Sequence, residues 1–204
     1  AETDAVNRRT LTALRCTMRA MLTFSPDPEV AENQMNSVIF FLTTFGYIDG
    51  DYDQSEKNYV RKQIEQLVAV RVDSAQLTDR LLRDELVAKY TRHFTEVAEN
   101  IDERVKDLLT EPVAENEEPG VFATARLKQQ CFEILKGYDK NGQEELLQII
   151  DQLISADGEV HPAEVKFRAE MAELLEADLE IEMMEEPSDI NRPRLEAAAR
   201  SGGA

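Results

Sequence analysis

Acidic side chains are concentrated in two short stretches of the chain. The first stretch supplies four carboxylates within eight residues, and the second supplies three carboxylates and one imidazole. The residues are Asp49, Asp51, Asp53 and Glu56 in the first stretch, and Asp157, Glu159, His161 and Glu164 in the second. Carboxylate oxygens favour Ca²⁺, Mg²⁺ or Mn²⁺, whereas the single imidazole leaves Zn²⁺ open without arguing for it. These eight residues are therefore candidate ligands of a divalent metal.

The two stretches belong to a repeat with an offset of 108 residues and no gap. Asp49-Gly50 aligns with Asp157-Gly158, Glu56 aligns with Glu164, and the apolar residues that precede each stretch align as well. Each copy has the pattern of an apolar helix, an acidic turn whose glycine can take a positive φ, and a second helix. If folding brings the turns together, two carboxylates about 4 Å apart repel by roughly 1 kcal/mol in water and roughly 4 kcal/mol at an effective dielectric of 20. A bound cation would reverse the sign of that interaction.

Helix capping is the alternative explanation for part of this pattern. Asp53 and His161 fall at the N-cap of the helix after each turn, and Asp53 with Glu56 has the spacing of a capping box. A standard EF-hand is rejected, because a loop that starts at the first aspartate has Gln54 and Val60 where glycine and glutamate are required. Acid–base catalysis by the carboxylates is disfavoured by their positions at helix caps, and we expect no enzyme.

Apolar residues recur at helical spacing through nearly the whole chain, and no pair of strands stands out. The sequence predicts an all-α fold: a helical bundle of two pseudo-repeated helix–turn–helix halves with a helical insertion and N- and C-terminal extensions. We expect a first helix at about residues 4–23, a weak break at 71–73, and a helical stretch over about 74–110 in one piece or two. The acidic segment 111–120, which is bracketed by prolines, is the best linker candidate.

Three parts follow from this pattern: an N-terminal helical extension at 1–30, a helical domain at 31–176 with an inserted helical arm at about 72–120, and an acidic C-terminal tail at 177–204. The tail interleaves apolar residues with acids, which is typical of a solvated last helix or of a segment that docks on a partner. These apolar tail residues are Leu179, Ile181, Met183 and Met184. The arm at about 72–120 is predicted to be helical and to carry contacts of its own.

Charge and composition exclude several classes of partner. The chain has 204 residues, with 23 basic and 41 acidic ones, and a formal net charge of −18. Such a chain repels phosphate backbones, so we expect no nucleic acid partner. No apolar run approaches the roughly 20 residues of a membrane helix, so we expect no direct membrane insertion. Cys16 and Cys131 lie outside any CxxC spacing and are expected to be buried thiols in a reducing, cytoplasmic setting, although Ala1 fits either methionine removal or an export signal.

The second acidic stretch lies within Ala-Asp-Gly-Glu-Val-His-Pro-Ala-Glu-Val at residues 156–165, which resembles the signature of the tellurite-resistance TerB-like family. The first stretch, at residues 48–56, looks like the same motif in the other half of that domain. The resemblance covers roughly residues 36–176. The chain departs from the family's pattern at His161, which breaks an all-oxygen ligand set, and in the long segment between the motifs.

The resemblance implies a non-enzymatic helical module in which acidic side chains from both motifs bind a divalent metal. It also implies a role in tellurite or other stress responses through protein partners, often near membrane complexes. Carried over by position, the metal ligands are the seven acids of the two stretches, and His161 stands as an eighth candidate at the position that departs from the family pattern. The alternative is a structural or adaptor subunit of a protein assembly that keeps the fold without binding metal, with contacts from the arm and the acidic tail.

Overall fold

The structure is a computed structural model that describes residues 22–110 and 121–185, with side chains as far as residue 178. These residues form six α-helices and no strand, which confirms the all-α prediction. The predicted helix at 4–23 lies outside the described residues except for its last two positions, and so do the linker at 111–120 and most of the acidic tail. The helices are α1 (Pro28–Gly46), α2 (Gln54–Ser74), α3 (Arg80–Thr110), α4 (Val121–Lys136), α5 (Lys140–Leu153) and α6 (Pro162–Glu185).

Helix α1 is the centre of the bundle. Its N-terminus is capped by Asp27, whose Oδ1 accepts hydrogen bonds from the N–H groups of Glu29 and Val30 at 2.9 and 3.1 Å, while Pro28 occupies the first turn. The helix contacts α2, α3, α4 and α5. A helix surrounded in this way must be apolar on most of its sides. The side chains of α1 with no measurable exposure are Val38, Ile39, Phe41 and Phe45.

Aromatic packing joins α1 to the last helix. The rings of Phe45 and Phe167 are stacked with their centroids 5.0 Å apart, and both side chains are fully buried. Complete burial of an aromatic side chain of this size contributes about 1.5–3 kcal/mol to stability. On the outside, Lys128 of α4 contacts Glu170 of α6 at 3.1 Å. The core therefore holds α6 against the centre of the bundle, with a partly exposed ion pair at its edge.

The connection between α2 and α3 corrects the predicted break at 71–73. Helix α2 continues to Ser74, and α3 then runs from Arg80 as a single helix rather than as two pieces. Val72 is buried against the core, so tertiary packing maintains the helix there despite weak local propensity. The turn comes later, where Gln76 has a φ of +52° and the Asp79 carboxylate accepts hydrogen bonds from the first turn of α3.

Helix α3, which contains most of the predicted arm, is docked along the bundle. It packs against α1 and α2 and also touches α4. Phe94 and Val105 are its buried side chains. Near its start, Arg83 Nε donates to Asp73 Oδ1 at 2.6 Å, and this guanidinium lowers the pKa of the Asp73 carboxyl. None of the helices described here is long and apolar enough to cross a bilayer.

Candidate functional site

The first acidic turn connects α1 to α2. Gly50 has a φ of +102°, and the Asp49 carboxylate accepts a hydrogen bond from the N–H of Asp51 at 3.0 Å. Asp53 then caps α2, because its Oδ1 accepts a hydrogen bond from the N–H of Glu56 at 2.8 Å. In return, the N–H of Asp53 donates to Glu56 Oε2 at 2.9 Å. The predicted capping box is therefore present, with both of its hydrogen bonds.

The second acidic turn connects α5 to α6 and repeats two of the three local hydrogen bonds of the first turn. Gly158 has a φ of +88°, and the Asp157 carboxylate accepts from the N–H of Glu159 at 2.8 Å. The N–H of His161 donates to Glu164 Oε2 at 3.0 Å. His161 replaces the capping aspartate of the first turn, and its Nδ1 accepts a hydrogen bond from the N–H two residues later at 3.3 Å. The imidazole at this position therefore acts as a helix cap.

The two turns lie at the same end of the bundle. Burial raises the pKa of Glu164, and the charges of Asp49, in the first turn, and Asp157, in the second turn, raise it further. The Tyr59 hydroxyl of α2 also donates a hydrogen bond to the carbonyl of Ile149 in α5 at 3.1 Å, close to where α5 ends. The helix that follows the first turn is thus bound to the helix that precedes the second.

The two capping glutamates are the buried acids of this region. Glu56 is 6 % exposed and Glu164 is 4 % exposed. Burial is the main cause that raises the pKa of Glu56 to about 8, against the hydrogen bond from the Asp53 backbone, and the charges of Glu164, Asp49 and Asp53 raise it further. Burial likewise raises the pKa of Glu164. Ionisation of these two glutamates is therefore unfavourable, because both carboxyl groups are buried and lie near other acids.

The remaining predicted ligands lie at the surface of the turns. Asp53 is half-buried, and the exposed side chains are Asp49, Asp51, Asp157, Glu159 and His161. Across the part of the chain that the structure describes, no group of three or more His, Cys, Asp or Glu side chains is arranged to hold a metal ion. The donor set has the hard oxygens that Ca²⁺, Mg²⁺ and Mn²⁺ prefer, but the exposed side chains would have to turn toward the glutamates to bind one.

A set of side chains around the first turn was missed at the level of sequence. Tyr52 is buried, and its ring lies against Gly46 at the end of α1. The Tyr47 hydroxyl donates a short hydrogen bond to Asp102 of α3, and burial followed by this bond raises the pKa of Tyr47. The two tyrosines next to the acidic turn were the sequence feature that could have indicated these contacts. The sequence did not single out Asp102, because it is one acid among many on a long helix.

An apolar groove lies away from the acidic turns, where the start of α1 meets the end of α2 and the start of α3. Its volume is about 340 Å³, and its apolar lining includes Phe24, Met35 and Leu86. At its edge, His93 Nε2 lies 3.4 Å from a carboxylate oxygen of Glu32. The groove shares no residue with the turns, so it is a separate feature of the surface.

No model of a known protein family, no curated protein and no solved structure matches the chain. The resemblance to TerB-like proteins therefore rests on the residues of the two acidic turns.

Proposed function

We propose that the protein is a non-enzymatic, TerB-like helical module that binds a divalent cation between its two acidic turns and acts through protein partners. One observation carries the proposal: the charge of Asp49 acts on both Glu56 and Glu164, which belong to different turns. Carboxylates from distant parts of the sequence thus influence one another across the two turns, which supports a cation shared between them.

Electrostatics supports a cation at this end of the bundle. Glu56 and Glu164 are buried, and burial and neighbouring charge of the same sign disfavour their ionised forms. Without a cation, the Glu56 carboxyl reduces the repulsion by holding a proton. A divalent ion would replace that proton and turn the repulsive interactions into attractive ones. Cation binding should therefore release protons, and the affinity should rise with pH.

The ligand set favours hard cations. The backbone N–H groups of the caps use Oε2 of Glu56 and of Glu164. The other oxygen of each glutamate, together with the exposed Asp49 and Asp157, supplies donors of the kind that Ca²⁺, Mg²⁺ or Mn²⁺ takes. Zn²⁺ would depend on His161, whose Nδ1 is already a helix cap.

Calorimetry tests cation binding directly. Protein treated with a chelator is titrated with Ca²⁺, Mn²⁺ and Zn²⁺, beside the double variant Asp49→Asn/Asp157→Asn and the matched control Asp107→Asn on α3. We expect binding heat for the wild type and the control and a loss of at least tenfold in affinity for the double variant. Saturation at 100 times the dissociation constant should also stabilise the fold by about 2.7 kcal/mol. No heat with any cation, or equal heat from the double variant, would remove the proposal.

The biological setting belongs to the same proposal and comes from the resemblance. It is a role in tellurite or other stress responses, through contacts with protein partners in the cytoplasm. Tellurite sensitivity of cells that carry the wild type or the Asp49→Asn/Asp157→Asn variant tests this setting. Equal protection by both proteins would separate the stress response from cation binding.

A second candidate is a structural or adaptor subunit that binds no metal. A specific observation favours it: Asp49, Asp53, Glu56, Asp157 and Glu164 each accept a backbone hydrogen bond, so they have a role in the fold without any cation. This candidate predicts that Asp157→Asn changes stability but not the set of bound proteins. The cation-dependent module predicts instead that a chelator and the double variant remove the same partner.

A further inference from the structure

A single carboxylate of α3 joins the two sides of the first acidic turn. The Tyr47 hydroxyl, just before the turn, donates a hydrogen bond to Asp102 Oδ1. The Lys57 ammonium, in the first turn of α2, lies 2.9 Å from Asp102 Oδ2. Asp102 and Lys57 are 24 % and 30 % exposed, so this ion pair is partly shielded from solvent. Helix α3 therefore connects the chain segments that enter and leave the turn.

The middle of the turn is fixed by the same group of side chains. Tyr52 lies over Gly46, where an added Cβ atom would come within 2.4 Å of the ring. The rings of Tyr47 and Tyr52 have centroids 5.3 Å apart, and Lys57 Nζ is 5.1 Å from the centroid of Tyr52. Asp49 and Asp51 thus lie on a loop that is fixed at both ends by contacts with Asp102 and in its middle by the packing of Tyr52.

The second turn has a different set of side chains at the corresponding positions, which are 108 residues further on. They are Ser155, Val160 and Val165, and the two valines are 56 % and 48 % exposed. None of the three can form an ion pair or an aromatic contact. The support from α3 is therefore particular to the first turn, although in both turns the first aspartate and the buried glutamate accept equivalent backbone hydrogen bonds.

We propose that Asp102 is a positioning residue for the cation site, through which the docking of α3 sets the cation affinity of the first turn. This inference rests on the proposed function. Groups that orient the ligands of a metal, without touching it, typically change metal affinity by 10- to 100-fold when they are removed. Loss of Asp102 would free both the Tyr47 hydroxyl and the Lys57 ammonium, and the acidic loop would then have to be ordered by the cation itself.

The test compares Asp102→Ala with the neighbouring control Glu103→Ala, which removes an exposed acid from the same helix. Tyr47→Phe is the milder second variant, since it removes only the hydroxyl that Asp102 accepts from. Circular dichroism and urea unfolding show that each variant is folded before any other measurement. Ca²⁺ and Mn²⁺ affinities are then measured by calorimetry, and we expect a 10- to 100-fold loss for Asp102→Ala, a smaller loss for Tyr47→Phe and no change for Glu103→Ala.

Amide hydrogen exchange without any cation gives a readout that does not depend on cation binding. The amides of Gly50 and Asp51 should exchange faster in Asp102→Ala, whereas those of Gly158 and Glu159 in the second turn should be unchanged. Unchanged exchange in the first turn would overturn the positioning role. Faster exchange with unchanged cation affinity would also overturn the proposal. If the wild type binds no cation, the proposed function fails and the effect on affinity falls with it, while faster exchange would still show that Asp102 orders the turn.

Discussion

Glu56 and Glu164 are 108 residues apart in the sequence, yet each is a buried glutamate that accepts the backbone hydrogen bond of a helix cap. The charge of Glu164 contributes to the raised pKa of Glu56. One pair of residues thus has two effects of opposite sign. The caps stabilise the starts of α2 and α6, while the proximity of buried acids opposes ionisation at that end of the bundle.

The stability of the cation-free protein should fall as pH rises from about 4.5 to about 8. Glu56 has an ordinary pKa of 4.5 and a pKa of about 8 in the folded state, so in this range the folded state holds a proton that the unfolded state has lost. Each unit of pKa difference is worth about 1.4 kcal/mol. Glu56→Gln keeps a side chain that can complete the capping box but removes the ionisation. We therefore expect a flatter pH profile and higher stability at pH 8 for this variant.

Urea unfolding at half-unit steps between pH 5 and 8, with a chelator present, measures this profile. The control is Glu65→Gln, an exposed glutamate on the same helix, whose profile should run parallel to that of the wild type. A difference in slope of up to about 1.4 kcal/mol per pH unit is expected for Glu56→Gln. Parallel profiles for Glu56→Gln and the wild type would show that Glu56 ionises normally in the folded protein.

Gly46 and Tyr52 should be strongly coupled in stability. Gly46→Ala would put a methyl group 2.4 Å from the Tyr52 ring, so the ring must move, at a cost of about 1–3 kcal/mol. In a Tyr52→Ala background that conflict is absent, and alanine is favoured over glycine in a helix by roughly 0.5–1 kcal/mol. Gly46→Ala should therefore be destabilising alone and neutral or stabilising in the double variant. Equal costs in the two backgrounds, measured by a double-mutant cycle, would disprove the coupling.

The parts of the site that could be predicted from sequence are those set by neighbours in the chain. The Asp53–Glu56 capping box and the positive φ of Gly50 and Gly158 depend on residues within a few positions, and all three are observed. The break expected at 71–73 was wrong because burial of Val72 overrides its local propensity. The spacing of residues along the chain does not determine which of them are buried or which distant residues are in contact.

The side-chain contacts that hold the first turn in place could not be predicted from sequence for the same reason. Tyr47 and its acceptor Asp102 are separated by 55 residues, and only the docking of α3 brings them together. The raised pKa of Glu56 likewise depends on burial and on a glutamate from the other turn. The repeat suggested that the turns could meet, but the side chains that hold one of them could be identified only in three dimensions.

The glycines of the two turns should be required for their backbone conformation rather than for space. An added Cβ at Gly50 or Gly158 would meet no heavy atom within 4 Å, but both residues have positive φ. Alanine should therefore cost about 1–2 kcal/mol at either position through backbone strain. Asparagine tolerates positive φ better, so Gly50→Asn should cost less than Gly50→Ala. Thermal unfolding of the three variants measures the order, and a stability equal to that of the wild type for both alanine variants would contradict the assignment.

The thiol of Cys131 should be inert in the folded protein. It has no measurable exposure, and burial raises its pKa to about 12, against a hydrogen bond with Thr44. Thiol reagents need the thiolate, so neither access nor ionisation is available at pH 8. In a Cys16→Ser background, which leaves one cysteine, we expect no labelling by a disulfide reagent over the time in which denatured protein reacts completely. Increasing urea should raise the labelling rate in proportion to the unfolded population, whereas rapid labelling without denaturant would mean that the contact between α1 and α4 opens on its own.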